Sequence, residues 1–299
     1  QHYPNRPTRV VVPFSAGGLA DIITRVDTQK MTGEMRQPFV IDNRGGDRGT
    51  IGVDSVAKAT PYGYTLLLHT IGHVTAPELH RKPPCDAEKD FAPIVLMSKR
   101  SMLLVVNPEQ PFKGGRDYIA WVKAHPGQLN FASSGLGSSN QMAGELFKYM
   151  ARIDIAHIPY TGAGPVVGAV LANQVTTGIT AVPPAAPHIK AGSMRGIAVL
   201  APKRSANIPD VPTAIESGVA GIDSDTKQGF LAPAGTPKEI VDRMHREVMK
   251  LMQLPDVKDR MATLGFDIVA DSQQDFARTV NEEIAKWGKA IRAAKIRVE

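Results

Sequence analysis

A single cysteine, Cys85, in 299 residues excludes an intramolecular disulfide. Stability must come from burial, and cysteine usage leaves the compartment open. Long hydrophobic runs are missing too. The longest apolar stretches, such as Leu66–Leu68 and Met102–Val106, are strand-length, far short of the ~18–20 residues that span a bilayer. Runs of one charge are equally scarce. The net charge is +6, but lysine and arginine are scattered rather than gathered in the stripe that binds nucleic acid. Their densest stretch is Lys286, Lys289, Arg292, Lys295 and Arg297, at helical spacing. It reads as a solvated helix face with cations near the C-terminal end. The chain opens Gln1-His2-Tyr3-Pro4, with no basic-then-apolar leader; the expectation is an intracellular protein or one whose leader was removed before this numbering.

Catalytic and nucleotide signatures are also lacking. There is no G-x-x-x-x-G-K-[ST], and Gly135-Leu136-Gly137 is followed by Asn140 where a dinucleotide fingerprint needs a third glycine. No G-x-S-x-G elbow occurs. The eight histidines are dispersed. His69 and His73 are four apart, a metal-ligand spacing on a helix. They bracket Gly72 after a strand, so they read as loop or cleft-edge side chains. Cys85 lies in a Pro- and charge-rich loop and reads as an incidental thiol.

What is present is a strand–loop–helix rhythm. Hydrophobic residues make up 42% and charged residues 21%, as in globular proteins, and the length fits two lobes. Thr8–Phe14 is an apolar, β-branched strand; Ser15–Gly18 breaks it; Leu19–Met31 has helical periodicity. Phe39–Asp42, a Gly-rich turn, helix Ile51–Ala59 and strand Tyr64–Leu68 complete a βαβαβ unit, which predicts parallel strands with crossover helices. Past the polar Ser98–Ser101, the second half repeats the plan: strand Leu129–Ala132, a Ser/Gly loop, helix Gln141–Ala151, strand Ile155–Pro159, helix Pro165–Ala172 and strand Gln174–Thr180. Thr236 before Pro237 predicts a helix cap, as does Ser272 with Asp275. Three C-terminal helices return to close the first lobe.

Two loops carry the chemistry. Pro13–Asp21 and Ser133–Ser139 each join a strand to a helix. A helix N-terminus offers unpaired N–H groups and partial positive charge. Glycine admits a ligand to that backbone, and serine adds donors. Such a site suits a carboxylate or a phosphate. One such loop in each half is more specific than either alone, because ligands of open α/β sheets sit at the carboxyl ends of the strands. Asp21, a candidate general base, reads more simply as a brace for its loop. Ile158–Gly164, with Tyr160, is a third candidate loop.

At these residues the chain resembles the extracytoplasmic solute receptors of tripartite tricarboxylate transporters, the Bug or TctC-like proteins. The resemblance runs through Tyr3-Pro4 and Pro7, Val11 to Asp21, Asn43-Arg44, Thr50-Ile51-Gly52, Pro61–Leu67, Asp90–Pro93 and Pro126–Asn130. It continues through Ser133-Ser134-Gly135, Ala143–Phe147, His157–Tyr160, Pro187–Gly192, Pro209–Thr213 and Leu231–Pro237. It implies an α/β, two-lobed periplasmic-binding-protein fold of type II-like form. Each lobe is a mostly parallel sheet flanked by helices, with a ligand cleft between lobes. The expected lobes are 1–99 with 226–299, and 100–225, hinged near 98–101 and 226–229.

The resemblance further implies a monomeric periplasmic receptor that takes up a small carboxylate by lobe closure and passes it to membrane permease subunits, with no enzymatic step, cofactor, metal or nucleic acid. The expected ligand-binding residues are Phe14, Ser15, Ala16, Gly17, Asp21, Thr70, Ser133, Ser134, Gly137, Ser138, Tyr160 and Thr180. Two departures bear on the ligand. Gln141 stands where the family often has His, and Thr180-Ala181 where it often has an acid that receives an ammonium group. A dicarboxylate or an aromatic acid is therefore favoured over an amino acid. Arg48, in an unusually charged turn, reads as a solvated loop residue or one that engages a partner, the former favoured. Two alternatives stay open: a hydrolase or isomerase using Asp21, His73 or Ser134, and a ligand-dependent signalling receptor.

Overall fold

A computed structural model describes residues 3–296. They divide into two compact units. Unit 1 holds the chain up to Lys99, Lys227–Arg292 and Ile296; unit 2 holds Arg100–Thr226 and Ala293–Lys295.

Unit 1 begins β1 (Thr8–Val12), α1 (Leu19–Met35), β2 (Phe39–Asn43), a 3-10 turn at Asp47–Gly49, α2 (Thr50–Ala57), β3 (Thr65–His69), α3 (Ile71–Leu79) and β4 (Phe91–Arg100). Val10, Val11 and Val12 are fully buried, as are Leu66, Leu67 and Leu68. These strands are covered on both faces, which is why they read as unbroken apolar runs. β1 pairs parallel with both β2 and β3.

Unit 2 runs β5 (Met102–Val106), α4 (Gly115–Ala124), β6 (Asn130–Ser133), α5 (Ser139–Ala151), β7 (Ala156–Pro159), α6 (Ala163–Leu171), β8 (Thr177–Ala181), α7 (Val182–Lys190) and β9 (Arg195–Val199). Its sheet order is β7-β6-β8-β5-β9. β6 is parallel to β7 and β8, whereas β5 is antiparallel to β8 and β9.

The chain returns to unit 1 through β10 (Thr226–Pro233), α8 (Lys238–Leu251), α9 (Pro255–Thr263), β11 (Asp267–Ile268) and α10 (Gln273–Ala294). The unit 1 sheet is then ordered β11-β4-β10-β3-β1-β2, with β10 antiparallel to β3 and β11 antiparallel to β4. Each sheet is thus mixed, with three parallel strands and antiparallel strands beyond them. α1 packs on α8 and α9. Met244, Val248, Leu251, Val257 and Met261 from those helices join Val10, Ile23 and Leu68 in one core.

Two local expectations need correction. α3 was not anticipated; Ile71, Val74, Ala76 and Leu79 are all buried, as are His73 and Thr75, so the helix has no polar face to give it a period. Thr236 does not cap α8. Its hydroxyl donates to the Pro233 carbonyl at 2.7 Å, and Pro237 holds the cap position. On α10 the solvated basic face is present: Lys289, Arg292 and Lys295 are exposed, with Arg292 paired to Glu78 and half-buried Lys286 to Glu283. Arg297 lies outside the described residues. Ser272 caps α10 as expected: Asp275 N–H donates to its Oγ at 3.1 Å.

Candidate functional site

Three parallel strands end side by side in each unit, and each feeds a helix. In unit 1, β1, β2 and β3 lead to the N-termini of α1, α2 and α3. Their backbones nearly touch. A Cβ on Gly72, at the start of α3, would lie 2.6 Å from the Arg48 carbonyl oxygen. Glycine is required there because no side chain fits.

Ser15, Ala16 and Gly17 are exposed at this edge, and Phe14 packs partly on the unit 1 core. Asp21 is buried beneath them. Its carboxylate accepts from Gly17 N–H at 2.9 Å, Arg25 Nε at 3.0 Å and Asn43 Nδ2 at 3.1 Å. Asn43 also donates to the Phe14 carbonyl at 3.2 Å. Burial by itself would raise the Asp21 pKa, but the bonds from Arg25, Gly17 and Asn43 outweigh it and hold the carboxyl below its ordinary value. Asp21 therefore braces the loop. With both oxygens engaged, it is a poor general base.

Two donors nearby have no such partner. Thr70 sits at the N-cap of α3, buried, with no acceptor for its Oγ1. Arg48, at φ 57°, has a shielded Nη1 that also lacks one. Arg48 is half-buried, so the solvated reading holds only in part.

His69 and His73 are interior residues, not cleft-edge ones: both are buried, with their Nδ1 atoms 2.9 Å apart. His69 packs against Phe276 and His73 against Phe91. Burial pushes both pKa values down, His73 to about 4. Among the described residues no group of three His, Cys, Asp or Glu could hold a metal ion.

In unit 2 the ends of β6, β7 and β8 feed α5, α6 and α7. Ser138 caps α5, accepting from Gln141 N–H at 3.2 Å and donating to the Gly135 carbonyl at 2.7 Å. Gly137, at φ 73°, takes the left-handed turn that brings the chain into the helix. Tyr160 N–H donates to the Ser133 carbonyl at 2.9 Å, so the loops after β6 and β7 lie together. Ser134 and Ser138 are half-buried, Gly137 is buried and Leu136 is exposed. Thr180, near the end of β8, is fully buried with no partner for its Oγ1.

Sequence reasoning missed two residues here. His157 places Nε2 2.6 Å from Ser133 Oγ and Nδ1 3.3 Å from Gln141 Nε2. Asn140 donates to the Ile179 carbonyl at 2.7 Å and ties α5 to β8. The phrase His157-Ile158-Pro159-Tyr160 was the available signal; the partner of its histidine was not legible.

Of the expected residues, Phe14 to Gly17, Asp21 and Thr70 gather at the unit 1 strand ends. Ser133, Ser134, Gly137, Ser138, Tyr160 and Thr180 gather at those of unit 2. A cavity of about 960 Å³ lies elsewhere, at the starts of β1 and β3, lined by Tyr3, Arg6, Tyr62, Tyr64 and Arg243 among others. Its groups partner one another: Arg6 stacks over the Tyr64 ring at 4.2 Å, and Tyr64 Oη donates to Asn5 at 2.7 Å.

Residues 23–296 match the family described as the tripartite tricarboxylate transporter family receptor, TctC. This chain belongs to that family. The receptor is 32% identical to Protein BugT of Bordetella pertussis, over 97% of this chain and 90% of that one. Two solved structures from Rhodopseudomonas palustris are similar. Rpa4515 with adipate is 32% identical with a TM-score of 0.83, covering 99% of this chain and 100% of its own. MatC with bound malate is 31% identical with a TM-score of 0.81, covering 97% and 100%. The receptor is accordingly a solute-binding protein with the α/β architecture of periplasmic binding proteins. Receptors of this family are periplasmic. No helix among the described residues is long and apolar enough to cross a membrane.

Proposed function

We propose that this receptor captures a small carboxylate, a dicarboxylate or aromatic acid, in the periplasm, as a monomer. It then delivers the acid unchanged to the membrane permease subunits of a tripartite tricarboxylate transporter. The observation that carries the reading is the pair of strand-end clusters, one in each unit, both built from helix N-termini and hydroxyl donors. The helix N-termini offer backbone N–H groups to the carboxylate oxygens and favour their negative charge. Phe14, Ser15, Ala16 and Gly17 are the proposed contacts from unit 1, with Asp21 holding them in place. Ser134, Ser138, Tyr160 and the N-terminus of α5 are those from unit 2, braced by Ser133 and Gly137. The relatives solved with adipate and malate support a dicarboxylate.

A serine hydrolase is the alternative that one observation favours, since Ser133 Oγ lies 2.6 Å from His157 Nε2. A nucleophile must reach its substrate, and Ser133 has no exposed surface. Ser134, the serine first suspected, is not part of that pair. The proposal therefore assigns Ser133 to the loop.

Thermal shift with di-, tri- and aromatic carboxylates tests the reading. A ligand at 100 times its dissociation constant adds roughly 2.7 kcal/mol of stability, so at least one acid raises the midpoint by several degrees. Stabilisation by no acid overturns capture. Turnover of a carboxylate ester that is lost in Ser133→Ala overturns the unreactive role. Uptake of the stabilising acid into vesicles carrying the permease, dependent on added receptor, tests delivery.

A further inference from the structure

The bonds around His157 fix where its proton sits. Gly137 N–H donates to Gln141 Oε1 at 2.7 Å. A backbone N–H can only donate, so the amide oxygen of Gln141 must face Gly137, and its NH₂ must face His157. That NH₂ lies 3.3 Å from His157 Nδ1 and can only donate to it. Nδ1 is therefore the acceptor, and the neutral ring carries its proton on Nε2. The Nε2–H points at Ser133 Oγ, 2.6 Å away, which also receives Gly135 N–H at 3.3 Å. One chain of bonds thus runs from Gly137 through Gln141 and His157 to Ser133 and Gly135, joining both ends of the loop before α5. It contains no net charge. It also leaves His157 unable to take a proton from Ser133.

We propose that Gln141 is a positioning residue: by holding His157 in its Nε2–H form it fixes the carboxylate-facing loop 134–138 and makes capture insensitive to pH where histidine ordinarily titrates. This rests on the carboxylate-receptor reading. Protonating His157 would place a hydrogen on Nδ1 against the Gln141 NH₂, two donors face to face, and break the chain. The surroundings resist that. The ring tilts against Phe131, 4.9 Å between centroids, and its charged neighbour is Lys148 on α5, itself paired with Glu145 at 3.3 Å. Burial first, and Lys148 second, push the His157 pKa down to about 4. The β6 groups facing it, Ser133 and Phe131, are uncharged.

Gln141→Glu reverses the logic with almost no change of shape. The carboxylate still accepts from Gly137 N–H, but now demands a hydrogen on Nδ1. In the neutral ring Nε2 then becomes the acceptor; in the imidazolium, which the new carboxylate favours, both nitrogens donate, and negative charge sits at the N-terminus of α5.

The experiment has two arms. Imidazole ¹⁵N and ¹³C spectra of the wild-type protein between pH 5.5 and 8 should show His157 as a neutral Nε2–H ring throughout. Adipate and malate affinities over that range should stay within about twofold. In Gln141→Glu the spectrum should report Nδ1–H or imidazolium. Affinity should fall about tenfold or more at pH 8 and partly recover toward pH 5.5 as His157 charges. A wild-type Nδ1–H ring, a His157 that titrates within the range, or a Gln141→Glu spectrum unchanged from wild type overturns the proposal. The wild-type spectrum requires no variant to fold. If neither acid binds wild type, the receptor reading fails on that arm while the spectra still decide the role of Gln141.

Discussion

The two strand-end clusters solve one problem with different chemistry. In unit 1 the loop after β1 is held by a charge: the Asp21 carboxylate, gripped by Arg25, Asn43 and the Gly17 backbone. In unit 2 the loop after β6 is held by the neutral chain from Gly137 to Ser133. Charge-assisted bonds are the stronger kind, yet a fixed carboxylate beside the proposed anion site is tolerable only when its own charge is answered nearby, as Arg25 does. A neutral brace needs no such answer, but it must have every donor and acceptor in register. The first cluster should therefore be vulnerable to acid, and the second to a change of tautomer.

The largest expected effect tests the packing that the unit 1 cluster depends on. Gly72→Ala puts a methyl 2.6 Å from the Arg48 carbonyl oxygen, where backbone must yield. A loss of about 2–3 kcal/mol in urea unfolding is expected, with acid binding abolished. Unchanged binding would separate α3 from the site.

Asp21→Ala comes next. It strands the Gly17 N–H and the Asn43 amide, and should cost about 1–3 kcal/mol. The pH dependence follows from the direction of the shift. Because the folded pKa is below the unfolded one, Asp21 stabilises the fold above the ordinary carboxylate pKa, and that contribution is lost as pH falls through the folded value. The wild-type minus variant difference should shrink below about pH 4; a constant difference would sink the charged-brace account.

Asp27, also on α1, provides the opposite case in the same unit. It is buried with neither oxygen partnered, and burial raises its pKa well above the carboxylate range. With the folded pKa raised, stability is fullest below the unfolded pKa and declines as pH rises toward the folded one. Asp27→Asn should therefore raise the thermal midpoint at pH 7 and lose its advantage by about pH 4. Equal midpoints at pH 7 would show that Asp27 has a partner in solution.

The smallest effects compare the clusters directly. Thr70→Val in unit 1 and Thr180→Val in unit 2 each remove a buried hydroxyl that lacks a protein partner. Stability should hold or rise slightly, and acid affinity should stay within about twofold, because neither hydroxyl reaches the surface. Calorimetry on both variants checks this: a severalfold loss in either would show that its hydroxyl meets the ligand. If neither affinity changes, both hydroxyls belong to the fold alone.

Much of this was legible in the chain. Val10–Val12 and Leu66–Leu68 announced buried parallel strands, and the Gly/Ser loops after β1 and β6 announced helix N-termini, because short-range rules of strand burial and turn chemistry suffice for both. The phrases from Val11 to Asp21 and from Leu231 to Pro237 were enough to recognise the family. What the sequence could not show were relations between distant residues. α3 was hidden because a helix buried along nearly all its length shows no clear period. Arg48 looked solvated because shielding of one guanidinium nitrogen depends on neighbours from elsewhere in the chain.

The proposed carboxylate site was thus legible in the sequence as a class: two loops of small and hydroxyl residues, each opening a helix. Tertiary structure alone decided how each loop is held. Asn43 reaches Asp21 from 22 residues away, and His157 reaches Ser133 from 24 residues away. Such bonds form only when parallel pairing sets neighbouring strand ends side by side, and that register is a property of the sheet rather than of any segment within it.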